Sequence, residues 1–131
     1  MTSERAAVLD ASAILAILQQ EIGAENLTEE ILDRSAVSTV NLAEVQGKLV
    51  SWGSDPDEAW VHAISAIESI EPYTNEHAKL AGSLIKQTKP YGLSLGDRSC
   101  LALALALNGE VYTTERTWKR LKLGIPIHVI R

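Results

Sequence analysis

Apolar positions in this chain fall into short unbroken runs separated by longer stretches with a helical period. Residues 5–10 (R-A-A-V-L-D) read as a short buried strand that ends on an acid. Residues 11–20 place Ile14, Leu15, Ile17 and Leu18 on one side of a helix, which Gly23 closes. Residues 24–34 form a second, more polar helix with Leu27, Ile31 and Leu32 facing inward. The β-branched stretch 35–40 (S-A-V-S-T-V) reads as a strand, and Asn41 then caps a helix over 42–52. A turn at 53–56 leads into a helix that Asp55 and Pro56 open and that runs to about residue 68. A brief extended piece at 69–72 precedes a helix over 77–88 capped by Asn75. Residues 89–96 (K-P-Y-G-L-S-L-G) form a loop, after which Asp97 opens an Ala/Leu-rich helix ending near Asn108-Gly109. A strand at 110–113, a short helix at 115–121 and a last strand at 127–130 complete the chain. Strands that alternate with helices predict an α/β fold with a mainly parallel sheet covered on both faces. No internal repeat or low-complexity linker divides the 131 residues, which read as one domain over 1–131.

Composition narrows the chemistry. Hydrophobic residues make up 46% and Phe is absent, so the core leans on Leu, Ile, Val and Ala. The one cysteine, Cys100, excludes an internal disulfide and a cysteine-based zinc cluster, and its apolar setting predicts a buried, inert thiol. No apolar run reaches the roughly 18 residues of a membrane span, and Asp10 interrupts any signal-peptide pattern. The expectation is a soluble cytoplasmic protein with no membrane contact. The net charge of −5 is uneven: residues 1–66 hold three Lys/Arg and eleven Asp/Glu, residues 67–131 nine and six. The basic half leaves room for a polyanionic partner.

Four acids recur at one kind of place. Asp10 ends the first strand, Glu44 lies early in the helix after the second, Asp97 begins the long helix, and Glu115 follows the strand at 110–113. Ligands in open α/β sheets gather at the carboxyl ends of strands. Each acid alone suits a helix start. Four together repel unless cations join them, and oxygen donors select hard ions such as Mg²⁺ or Mn²⁺. Such ions activate water and stabilise the transition state of phosphate transfer. Ser12, Thr113 and Thr114 are candidates for supporting hydroxyls, with Ser12 equally suited to capping its own helix. Arg98, Arg116, Lys119 and Arg120, with Lys122 and Trp118, are candidates for phosphate contacts and stacking. His62, His77 and His128 show no metal-ligand spacing.

At these residues the sequence resembles a known family. V-L-D-A-S-A-I-L, V-N-L-A-E-V, G-L-S-L-G-D-R-S-C-L-A-L-A and V-Y-T-T-E-R-T-W occur in that order, from Val8 to about Trp118, with L-S-L-G-D-R the most specific piece. The pattern is similar to that of PIN-domain ribonucleases, in particular VapC-type toxins of type II toxin–antitoxin pairs. The resemblance implies a three-layer α/β/α sandwich and Mg²⁺- or Mn²⁺-dependent cleavage of RNA, often tRNA or rRNA, leaving 5′-phosphates. It matches Asp10, Glu44 and Asp97 to the core metal-binding acids, and Glu115 to a position more often held by Asp. It also implies a homodimer blocked by a VapB-type antitoxin. Two rival readings remain. A phosphatase of the haloacid dehalogenase kind expects a second Asp where Ser12 stands. A catalytically weak binding module on the same fold would owe its weakness to Glu115.

Overall fold

Ala7, Val8 and Leu9 have no exposed surface, and a strand covered on both faces belongs inside a parallel sheet. These residues form β1 (Ala7–Leu9), the central strand of a five-stranded sheet. The computed structural model describes residues 5–131. The other strands are β2 (Ser35–Ser38), β3 (Ser69–Glu71), β4 (Glu110–Thr113) and β5 (Ile127–Val129). Their order is β3-β2-β1-β4-β5, and every pairing is parallel. Val8 sits opposite Val111 and Leu9 opposite Tyr112.

Alternation along the strands sorts the core into two halves. Leu9, Val37 and Tyr112 face one side, against α1 (Ala11–Leu18), α3 (Thr39–Ser51) and α4 (Pro56–Ile64). Val8 and Val111 face the other, against α7 (Leu95–Leu107), Leu84 and Trp118. The remaining helices are α2 (Glu29–Asp33), α5 (Asn75–Ser83) and α6 (Ile85–Thr88), and α5 packs on α7. The result is the expected α/β/α arrangement, with short 3₁₀ turns at Ala24–Asn26, Lys89–Tyr91 and Arg116–Arg120. Among the described residues no helix is long and apolar enough to cross a membrane.

Several boundaries differ from the sequence reading, each for a local reason. The helix expected over 24–34 splits at Leu27, whose backbone leaves the helical region (ψ 81°), and Thr28 caps a fresh start by accepting from the Ile31 N–H. The strand expected over 35–40 stops at Ser38, whose hydroxyl accepts from the Val40 N–H and starts α3 three residues early. Asn41 is therefore inside the helix and does not cap it. The helix expected over 77–88 starts at Asn75, capped by Thr74, and breaks after Ser83. The one expected to run to residue 68 ends at Ile64. The long helix begins at Leu95, where Ser94 and Asp97 form a reciprocal capping box, so Asp97 is its third residue.

Candidate active site

Because all five strands run the same way, their carboxyl ends share one edge of the sheet. β1 passes there directly into α1, and Asp10 is the joint. Its Oδ1 accepts from the Ala13 N–H at 2.8 Å, which caps α1, and from Ser12 Oγ at 2.7 Å. Its Oδ2 accepts from Thr113 Oγ1 at 2.6 Å, on the neighbouring strand β4. The carboxyl is 3% exposed. Burial pushes it up to about 6 from its ordinary 3.8, against the pull of those three hydrogen bonds, and the charge of Asp97 adds to the rise. Asp10 thus both caps its helix and presents a buried carboxyl at the sheet edge. Ser12 does not cap α1; it donates to Asp10 and accepts from the Thr114 N–H at 3.0 Å.

Glu44 comes to the same edge from α3. It is exposed, yet its Oε1 accepts from Asn41 Nδ2 at 2.8 Å. The same nitrogen donates to the Gly96 carbonyl at 2.9 Å, which ties α3 to the first turn of α7. Gly96 is where the Glu44 carboxylate rests: a Cβ built there would overlap all three of its terminal atoms. One turn of the same helix start carries Asp97, half-buried, whose Oδ2 accepts from the Ser94 N–H at 2.9 Å.

Cys100, fully buried one turn along α7, registers this gathering. Burial raises its thiol well above the ordinary 9.0, and the charges of Asp10, Asp97 and Glu44 add to the rise. Among the described residues no three His, Cys, Asp or Glu side chains stand close enough to enclose a metal ion. Each acid accepts from a donor of its own: Asp10 from Thr113 and Ser12, Glu44 from Asn41, Asp97 from the Ser94 N–H. Mutual repulsion keeps bare carboxylates apart, and a divalent cation removes that repulsion. The donor set is all oxygen and anionic, which fits a hard cation such as Mg²⁺ or Mn²⁺.

The other sequence candidates divide. Glu115 is exposed, just past β4, and its backbone N–H donates to Thr113 Oγ1 at 3.0 Å. Thr113 and Thr114 are buried at the edge. Arg98 turns away from it, and its Nη1 donates to the Ala81 carbonyl at 3.0 Å, binding α5 to α7. Arg116, Lys119 and Arg120 are exposed beyond Glu115, as is Lys122. Trp118 offers no stacking surface, because it is 1% exposed and packs with Val8, Leu101 and Leu103. The histidines lie apart on α4, α5 and β5. Sequence reasoning missed Asn41 as a partner of Glu44. Its three-residue spacing from Glu44 puts both on one helix face, which was the available signal.

A family model for the PIN domain matches residues 7–123. The chain belongs to the PIN-domain family. No curated protein matches it in sequence. Among solved structures, this PIN domain is similar to a toxin–antitoxin complex from Klebsiella pneumoniae, at 20% identity and TM-score 0.71, over 96% of this chain and 98% of that one. It is also similar to VapBC2 from Rickettsia felis bound to a DNA fragment from its promoter, at 20% identity and TM-score 0.69, over 93% and 96%. VapBC-5 from Mycobacterium tuberculosis matches at 21% identity and TM-score 0.59, over 97% and 98%. At these identities the likeness is one of fold, and it covers nearly the full length of the chains on both sides.

Proposed function

We propose that this PIN-domain chain is a metal-dependent endoribonuclease, the VapC-type toxin of a toxin–antitoxin pair. The observation that carries the reading is that Glu44 lies against Gly96 in the first turn of α7, next to Asp97, at the sheet edge where Asp10 joins β1 to α1. The PIN-domain match and the fold shared with VapBC complexes support it. Partners under this reading are an RNA substrate, tRNA or rRNA, a VapB-type antitoxin and a second copy of the chain.

Asp10, Glu44 and Asp97 would hold Mg²⁺ or Mn²⁺, with Glu115 as an outer ligand. Such ions, when bound, lower the pKa of water and stabilise charge building on a phosphodiester. The chain's own groups do the rest. Thr113 and Ser12 fix both oxygens of Asp10, so its lone pairs keep one direction. A carboxylate of this set accepts the proton of the attacking water, whose oxygen bonds to phosphorus as the P–O3′ bond breaks and the departing O3′ takes a proton from solvent water. The products carry a 5′-phosphate and a 3′-hydroxyl. Arg116, Lys119 and Arg120 stand exposed just past Glu115, where they suit the phosphates of the strand.

The test is cleavage of total bacterial RNA by the purified, antitoxin-free chain with Mg²⁺ or Mn²⁺. Discrete cuts with 5′-phosphate ends, lost with EDTA and with Asp97→Asn, are the expected result. Cuts that survive both overturn the metal–acid reading.

A further inference from the structure

The buried amide of Asn41 serves none of the purposes that its sequence position suggests. It does not cap α3, because Ser38 does. It is 1% exposed on α3, where Leu42 and Val45 are also buried. Its nitrogen faces two acceptors, Glu44 Oε1 and the Gly96 carbonyl, so the orientation of the amide is settled by chemistry. That orientation leaves Asn41 Oδ1 buried with no hydrogen-bond partner. Buried unpaired polar atoms are costly, and an apolar side chain here would spare the fold that cost. The arrangement makes sense when the nitrogen's two bonds are worth more to the site than to the core.

We propose that Asn41 is a positioning residue that clasps Glu44 against the first turn of α7, where Gly96 leaves the gap its carboxylate fills, so that the pair sets the pose in which Glu44 meets a divalent cation. The inference rests on the metal-dependent reading given above. Glu44 is otherwise an exposed, flexible side chain, free to sample many rotamers. With the clasp, one oxygen is held and the other is left for a ligand. Gly96 works from the opposite side. Any Cβ there would meet the Glu44 carboxylate, which must then leave, since it is the mobile partner in the overlap.

The experiment is Mn²⁺ binding to the full, antitoxin-free chain, followed by the electron paramagnetic resonance signal of free Mn²⁺, beside thermal melting of each variant. Asn41→Ala and Gly96→Ala are each expected to weaken Mn²⁺ binding about 10-fold or more, the usual effect of losing a group that orients a ligand. Asn41→Ala is expected to add nothing once Glu44→Ala is present, because its effect passes through that carboxylate. Gly96→Ala is expected to fold at least as well as the parent, because Ala favours a helix over Gly. It therefore reads the site even if Asn41→Ala fails to fold. Unchanged Mn²⁺ affinity in Gly96→Ala and Asn41→Ala overturns the proposal. So does an equal loss from Asn41→Ala with and without Glu44. A parent chain that binds no Mn²⁺ overturns the metal reading itself, and the clasp with it.

Discussion

Thr113 Oγ1 donates to Asp10 Oδ2 at 2.6 Å, joining two strands through residues 103 positions apart in the chain. This bond works against the burial that raises the Asp10 carboxyl. Thr113→Val keeps the shape and removes the donor. Stability at neutral pH is expected to fall by about 1.5–3 kcal/mol, the range for a hydrogen bond to a charged group. The acid limb of the cleavage profile is expected to move to higher pH, because the carboxylate has lost a stabilising partner. Urea unfolding and a pH–rate profile check the two effects.

Asp10 also sets a pH dependence of its own. Its carboxyl titrates near 6 in the folded chain and near 3.8 when unfolded. Between those values the folded state holds a proton that the unfolded state has lost. Stability in metal-free buffer therefore falls as pH rises through about 4 to 6 and levels off above. Asp10→Asn removes this loss. The variant is expected to be more stable than the parent by about 1–3 kcal/mol at pH 7.5, to differ little at pH 4, and to cleave no RNA. Unfolding at the two pH values decides it.

Arg98 and the exposed basic group are expected to behave as opposites. Arg98 spends its guanidinium on the Ala81 carbonyl, so Arg98→Ala is expected to lower stability by about 1–2 kcal/mol while leaving the salt dependence of RNA binding unchanged. Arg120→Ala is expected to leave stability within about 0.5 kcal/mol and reduce the salt slope by about 1, as the loss of one phosphate contact does. Titrations at several salt concentrations beside melting curves separate them.

Trp118 anchors the 3₁₀ turn Arg116–Arg120, pointing inward while Lys119 and Arg120 point out. Trp118→Ala is expected to cost about 3–5 kcal/mol, the range for emptying a large buried site. RNA affinity of the folded fraction is expected to hold, and thermal melting with binding at low temperature tests both.

The parts of this fold that show in the sequence are those where one signal acts alone. β1 and β4 are short apolar runs with no competing helical period, and Asp10 stands out as a charge at the end of one. Boundaries went astray where two signals overlapped. Thr39 and Val40 are β-branched and read as strand, but the Ser38 hydroxyl commits them to α3. The long helix looked as if Asp97 opened it, because an acid in the first turn and a true cap leave similar traces. The gathering of Glu44 with Asp97 was legible from their places at helix starts near the carboxyl edge, and the resemblance added to it. The Asn41 nitrogen that joins Glu44 to Gly96 depends on a contact 55 residues away, which no local pattern carries.

β1 lies between β2 and β4, and the second of those neighbours is made after all three acids. A ribosome that has finished the first hundred residues has already made Asp10, Glu44 and Asp97. It has not yet made Thr113 or the strand that carries it, and β1 is open along one side. Long-range parallel pairing is also the slowest kind to form. The acids are thus present in the nascent chain well before the frame that orients Asp10. A PIN domain with this strand order completes its central sheet only when β4 pairs with β1, and a fragment that stops before Thr113 carries its acids without the hydroxyl that holds Asp10.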